Sequence, residues 1–297
     1  MSSVEILKKD KFGNYISKTV DGCSSFAAFP VLTSSATGVL FNDLINICVG
    51  YTLGDANSQC FEFHTDGSWK KAFNLQNPLK YWGTSVTFGE RKLKYWWILG
   101  GEPDGKSTEV WAGNPASHLM NFTIKLPSIV NQPCVVKISE REAFVSAIPK
   151  FESTSSNFAW IYNFYENEWT RLPNSLNMHS GPACGLLKNS TSKYIVLAGG
   201  YRMSTTEILN LESKTWTTGP DIGTDLYGGS MVSVSDGEEL LLIGGYSNKA
   251  LTQILRINSS MVSWETAGSL NDARFNSVAT AVPQSNLPIL INKESCK

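Results

Sequence analysis

Tyr194-Ile195-Val196-Leu197-Ala198-Gly199-Gly200-Tyr201 is followed by Thr206-Glu207-Ile208-Leu209-Asn210-Leu211, by Lys214-Thr215-Trp216 and by Gly219-Pro220. The same order returns in Leu240-Leu241-Leu242-Ile243-Gly244-Gly245-Tyr246, Gln253-Ile254-Leu255-Arg256-Ile257 and Ser263-Trp264. Each copy reads as three consecutive antiparallel strands with a turn after each: an apolar run closed by two glycines, an alternating run, and a run bearing tryptophan. A unit of roughly fifty residues written twice points to a repeat architecture, in which each supersecondary unit stacks on the next.

Counting outward, the double-glycine slot recurs at Trp96-Trp97-Ile98-Leu99-Gly100-Gly101 and at Ile45-Asn46-Ile47-Cys48-Val49-Gly50-Tyr51. It falls on Ala143 to Pro149 and on Leu287 to Asn292, which keep the strand pattern without glycines. Third strands are expected at Gln59 to Phe63, Thr108 to Trp111, Phe158 to Tyr162, Thr206 to Leu211 and Gln253 to Ile257. The sixth is supplied by Val4-Glu5-Ile6-Leu7, which matches Thr206-Glu207-Ile208-Leu209 in character, with Asn14 to Val20 as its fourth strand. The two ends of the chain are thus expected to complete one sheet jointly, leaving no free sheet edge at the seam.

The double glycine, the tyrosine close behind it and the later tryptophan resemble the kelch repeat, whose unit is one four-stranded blade of a β-propeller. The resemblance implies an all-β, six-bladed kelch β-propeller over residues 1–297, four antiparallel strands to a blade, the last blade closed by N- and C-terminal strands. Blades are expected near 33–82, 83–132, 133–182, 183–229, 230–276, and 277–297 with 1–32. Within it Gly100, Gly101, Gly199, Gly200, Gly244 and Gly245 serve backbone geometry near the channel. Trp69, Trp169, Trp216 and Trp264, in the fourth strands, are expected to pack between blades with one N–H to satisfy.

Cys48 closes a second strand and Cys60 opens the third, so the pair sits at a hairpin mouth within disulfide reach. Cys23 and Cys296 fall in connections on one face and are a second candidate pair, locking the seam. Cys134 and Cys184, at equivalent repeat positions, read as small hydrophobes lining the channel. The segment Cys23 to Phe63, with Phe29-Pro30, Ala36-Thr37-Gly38, Cys48 and Cys60, resembles arthropod-type extracellular kelch domains, with Phe29 for their tyrosine and Cys48-Val49-Gly50 for their Cys-Gly-Gly. Those relatives imply no defined activity.

Acidic and basic residues nearly balance at a net charge of -1, which leaves no electrostatic footprint for nucleic acid. No run approaches the ~18 apolar residues of a membrane span, and residues Met1 to Lys9 lack the apolar core of a signal peptide. Six cysteines and the glycosylation triplets at Asn121, Asn189 and Asn258 favour an extracellular, glycosylated protein; a cytoplasmic origin is the alternative.

Catalysis would need convergent titratable groups, and His64, His118 and His179 fall in different blades. No metal, cofactor or enzymatic activity is expected, and the residues of copper-dependent galactose oxidases, another kelch-type group, find no match here. Asp66-Gly67-Ser68-Trp69 is one residue short of a sialidase aspartate box and reads as a β-turn. Binding is expected instead on a propeller face. The face candidates are Tyr51, Asp55, Tyr81, Trp82, Glu102, Asp104, Tyr201, Arg202, Tyr227, Tyr246, Asn248 and Arg274, with a protein as the expected partner. A carbohydrate-binding propeller is the alternative suggested by Tyr81, Trp82 and Tyr227. An intracellular kelch substrate adaptor is a third reading, for which the chain has no room for the usual helical domain.

Overall fold

A computed structural model describes residues 5–10, 15–17, 27–52, 55–64, 66–79, 83–89, 94–100, 108–112, 118–120, 124–149, 155–247, 250–257 and 262–283. The strands run in chain order. A short antiparallel pair comes first, β1 (Leu7–Lys9) with β2 (Tyr15–Ser17). Sheet one holds β3 (Thr37–Phe41), β4 (Leu44–Cys48), β5 (Tyr51–Thr52), β6 (Asp55–Phe63) and β7 (Trp69–Leu79). Sheet two holds β8 (Gly83–Phe88), β9 (Tyr95–Gly100), β10 (Thr108–Ala112) and β11 (His118–Leu119). Sheet three comprises β12 (Val130–Lys137), β13 (Glu142–Pro149), β14 (Phe158–Asn163) and β15 (Glu168–Leu172). Sheet four comprises β16 (Ala183–Lys188), β17 (Lys193–Gly200), β18 (Met203–Asn210) and β19 (Thr215–Thr218). Sheet five comprises β20 (Ser230–Val234), β21 (Glu239–Ile243), β22 (Leu251–Ile257) and β23 (Val262–Ser269). All pairings are antiparallel, and all join sequence neighbours except that of β4 with β6, which passes over the two-residue β5; this is consistent with a propeller-like fold. The one helical element among the described residues is the 3-10 turn Ser235–Gly237.

The near-continuous apolar runs of the second strands follow from burial on both faces. Side chains alternate across a strand, so consecutive residues look toward different neighbours. Trp96 and Ile98 of β9 pack with Phe41 and Phe73 of sheet one, whereas Trp97 and Leu99 pack with Ala143, Val145 and Tyr162 of sheet three. Leu240 and Leu242 of β21 join Val196 and Ala198 of sheet four, and Leu241 and Ile243 join Tyr15 of β2. A strand sandwiched this way has no solvent face on which to place polar residues, hence five buried residues in a row along Glu239–Ile243: four apolar, and Glu239, whose carboxylate is satisfied by Lys9 and Arg256.

Connections between sheets are held by one recurring device. Glu207 of β18 accepts the Leu176 and Asn177 backbone N–H groups at 2.7 and 2.8 Å. Glu109 of β10 accepts Asn77 N–H at 2.7 Å, and Gln253 of β22 donates to the Ile222 carbonyl at 3.1 Å. The partner stands 30 to 32 residues upstream each time. Glu5 accepts the Asn271 and Asp272 N–H groups, both at 2.9 Å, from 266 and 267 residues away. Glu5 thus matches Glu207 in kind and in accepting two successive backbone N–H groups of one connection.

The fourth-strand tryptophans carry a parallel device. The indole N–H groups of Trp69, Trp169 and Trp216 donate to the carbonyls of Ala27, Lys125 and Pro173, 42 to 44 residues earlier, at 2.9 to 3.1 Å. Trp264 donates instead to the Thr206 hydroxyl of β18.

Candidate functional site

The site is built from the double-glycine hairpins upward. Gly199 and Gly244 adopt φ of 68° and 67°, and a Cβ at Gly199 would lie 2.5 Å from the Leu226 carbonyl oxygen. Glycine alone gives the chain that turn and that approach. The next N–H groups stitch each hairpin to a neighbouring connection: Tyr201 N–H donates to the Ser180 carbonyl and Tyr246 N–H to the Tyr227 carbonyl, at 2.8 and 2.9 Å. The backbone fixed, the two tyrosine side chains stand 57% and 59% exposed.

Around them the structure assembles an aromatic strip. Tyr201 meets the half-buried Tyr227 edge-on at 5.9 Å, and Tyr246 meets Phe275 edge-on at 5.5 Å. The Arg202 guanidinium lies over the Tyr201 ring, 5.2 Å from its centroid. Gln132 donates to the Tyr227 hydroxyl and accepts from the Ser180 hydroxyl, which ties the strip to sheet three.

Antiparallel alternation brings the second-to-third hairpins and the sheet-to-sheet connections to one end of the sheets, and the remaining hairpins to the other. Among the described residues, the exposed large hydrophobics are Leu32, Tyr165, Leu176, Met178, Tyr201, Tyr246 and Phe275. Only Tyr165 belongs to the other end, where Arg141 covers its ring. That end instead exposes Asp66, Glu140, Arg141, Glu166, Glu212, Lys214, Asp236 and Glu238. The aromatic end is not without charge: Asp221, Asp225 and Asp272 are exposed beside the strip.

Six chain segments, beginning at Ser35, Gly83, Gln132, Gly181, Gly228 and Asn276, line a cavity of roughly 220 Å³. They recur at a step of about 48 residues. Ser35, Thr37, Thr84, Ser85, Ser230 and Ser277 are among the residues lining it, and none of the described lining residues is charged. At its aromatic end Ser35, Gln132, Gly181, Gly228 and Asn276 all adopt left-handed φ, between 48° and 65°. Gly228 N–H donates to the Gly181 carbonyl, Asn276 N–H to Gly228, and Ser35 N–H to Asn276, a run of bonds from sheet to sheet along the rim. Deeper in, the Thr37 hydroxyl donates to Ser85 and the Ser230 hydroxyl to the Ser277 carbonyl.

Cys48 and Cys60 are disulfide-bonded across β4 and β6, where they stand directly opposite in register. Cys134 and Cys184 correct the sequence reading. They line the cavity, but as a disulfide between β12 and β16 with Cα atoms 6.3 Å apart, not as separate small hydrophobes. Equivalent positions on successive innermost strands face one another where the sheets converge, and the intervening 50 residues are simply one repeat. Cys23, Cys296, Tyr81, Trp82, Gly101, Glu102, Asp104, Asn121, Asn248 and Asn258 lie outside the described residues.

The other face candidates divide. Tyr51 is half-buried in a bridge to Ser34, and Asp55 pairs with Thr52 at the start of β6. Arg274 turns from the face toward Glu5, forming an ion pair with it, and its Nε donates to the Asp272 carbonyl. Burial works to raise the Glu5 carboxyl; the N–H groups of Asn271 and Asp272 and the Arg274 charge outweigh it and hold Glu5 below its ordinary value. Sequence reasoning passed over Leu32, Leu176, Met178 and Phe275. The polar–apolar alternation of Ser175-Leu176-Asn177-Met178 was the available signal, and it lies in a connection rather than a strand.

His179 is fully buried, its Nδ1 2.6 Å from the Gly199 carbonyl and its Nε2 3.2 Å from Glu207. Burial alone would raise the Glu207 carboxyl, but His179, Asn177 and the Leu176 N–H bring it below the ordinary value. This pair anchors the connection under Leu176 and Met178 and has no opening to solvent. His64 approaches Glu62 at 3.6 Å in sheet one. Among the described residues no group of three or more His, Cys, Asp or Glu is placed to hold a metal ion. No helix there is long and apolar enough to cross a membrane. No family model matches the chain, and no curated protein matches it.

Proposed function

We propose that the chain is a non-catalytic, extracellular protein-interaction module of the kelch type, a six-bladed β-propeller whose last blade is completed by both ends of the chain. It binds through the end of the sheets that bears the aromatic strip. The observation that carries this reading is the concentration of exposed large hydrophobics there, with Tyr165 alone at the other end among the described residues. Exposed tyrosines held on a fixed backbone make good anchors, since they bury area at little cost in ordering. The six cavity-lining segments and the register of Glu5 support the blade count and the seam. The two disulfides favour an oxidising compartment.

The partner that fits is a protein segment with an apolar centre and a basic flank, matched to the strip and to Asp221, Asp225 and Asp272. Capture of labelled cell-surface and matrix proteins on the immobilised full chain tests this. A Tyr201→Glu/Tyr246→Glu variant is expected to weaken capture by at least about tenfold, the scale of losing one central anchor. Tyr165→Glu, at the opposite end, leaves it unchanged. Equal capture by both variants overturns the assignment.

Carbohydrate binding is the second reading, favoured by the exposed rings of Tyr201 and Tyr246 standing near the neutral donors Gln132 and Ser180. Glycan-array binding that the same double variant abolishes would select it.

A further inference from the structure

The hairpin between β16 and β17 carries Asn189-Ser190-Thr191, and its geometry sets the Asn189 side chain in a defined way. Asn189 Oδ1 accepts the Thr191 N–H at 3.0 Å, the Thr191 hydroxyl at 3.1 Å and the Ser192 N–H at 2.8 Å. The Asn189 N–H donates to the Ser192 carbonyl at 3.0 Å, closing the turn. With the amide oxygen engaged by the loop, Nδ2 on the same carbon donates no hydrogen bond among the described residues, and Asn189 is half-buried. Ser190 and Thr191 are exposed. Asn189 also borders an open depression of roughly 630 Å³ between sheets three and four, where Ile138, Ile161 and Leu211 form apolar floor and Glu142 and Thr170 polar wall.

We propose that Asn189 Nδ2 bears an N-linked glycan whose first sugar lies along this depression. Two observations beyond the triplet itself carry the assignment: an Nδ2 that donates no hydrogen bond among the described residues while Oδ1 is held, and the adjacent space large enough for a sugar ring. The attachment is a group transfer from a polyprenyl-diphosphate-linked oligosaccharide. Nδ2 forms a C–N bond to the anomeric carbon, the bond from that carbon to the diphosphate oxygen breaks, and Nδ2 loses one proton. No oxidation is involved. The glycan falls at the charged end of the sheets, away from Tyr201 and Tyr246, and leaves the aromatic strip uncovered.

The assignment rests on the extracellular reading, because the transferase works in the compartment where disulfides form. The test is the full chain produced through the secretory pathway of a eukaryotic cell, with the peptide containing Asn189 read by mass before and after peptide-N-glycosidase. The expected result is complete glycan loss with conversion of Asn189 to aspartate, in the unaltered chain and in Thr191→Ser. Thr191→Ala, which keeps Asn189 and both N–H donors to Oδ1, is expected to lose the glycan while melting at the same temperature. Secreted, disulfide-bonded protein with an unmodified Asn189 peptide overturns the glycan alone. Free thiols at Cys48, Cys60, Cys134 and Cys184 in protein from its native cell overturn the compartment reading and the glycan with it.

Discussion

Glu207 and Glu5 do the same work, yet one binds a connection thirty residues before it and the other a connection 266 and 267 residues after it, at the seam between the first strands and the end of sheet five. Glu207 lies fully buried against the equally buried His179 and accepts from a connection thirty residues before it. Glu5 reaches across the seam to Asn271 and Asp272 and adds the Arg274 guanidinium, part-exposed at 21%. A second ionic anchor supports the same seam: Glu239 of β21 takes Lys9 of β1 at 2.6 Å, Arg256 at 2.7 Å and the Tyr15 hydroxyl at 3.2 Å. Where chain connectivity supplies the proximity, the fold relies on a buried, desolvated pair. Where proximity has to be made, it uses formal charges nearer solvent.

The comparison breaks most visibly at Glu207. Glu207→Ala strands the buried Leu176 and Asn177 N–H groups and His179, and is expected to cost about 3–5 kcal/mol in urea unfolding. A loss under about 1 kcal/mol would mean the pair is not the anchor described. Glu5→Ala is expected to cost about 1–3 kcal/mol, with amide-exchange protection lost first in β1 and β2 and retained in sheets three and four. Uniform loss of protection would erase the distinction between seam and body.

Acid sharpens it. Burial pushes the Glu239 carboxyl up, but hydrogen bonds from Lys9, Ser235 and Arg256 bring it down to about 2. A depressed carboxyl contributes stability that is full above the unfolded value of about 4.3 and is lost as pH falls through its folded value. The seam's contribution is therefore expected to fade between about pH 4 and pH 2, observed as loss of exchange protection in β1 and β2. In Lys9→Met/Arg256→Met, which leaves Glu239 with burial and few donors, the fade shrinks or vanishes; an unchanged fade removes Glu239 from the account. The smallest effect is expected at Gln253, whose Oε1 is already without a partner. Gln253→Leu forfeits one bond to Ile222 and should cost about 0.5–1.5 kcal/mol by thermal unfolding.

Much of the sheet order was legible because apolar run, double glycine and tryptophan recur together, and register follows from alternation. The match of Val4-Glu5-Ile6-Leu7 to Thr206-Glu207-Ile208-Leu209 was legible as a pattern, but the acid's work was not, since its partners are backbone N–H groups that any sequence would provide. Cys134 and Cys184 misled for a related reason. Their equivalence was visible, yet equivalence says nothing of distance until the innermost strands converge. Of the face candidates, Tyr201, Arg202, Tyr227 and Tyr246 come together, whereas Arg274 is drawn to the seam by Glu5, which is remote in sequence. Leu176, Met178 and Phe275 escaped because they lie in connections, where even the alternation of Ser175-Leu176-Asn177-Met178 does not say which side faces solvent.

The rim of left-handed residues bears on how a visitor would be received. Gly228, Asn276 and Ser35 each donate a backbone N–H to the preceding segment of the rim, so four of its six segments are tied in a row and spreading one of them breaks a bond to the next. Such a rim is an anvil rather than a jaw. It offers a shape prepared in advance, and the entropy lost on docking falls almost wholly on the guest. Stiff guests would then be held longer than supple ones of the same composition, and selection would act on the rigidity of the visitor as much as on its chemistry.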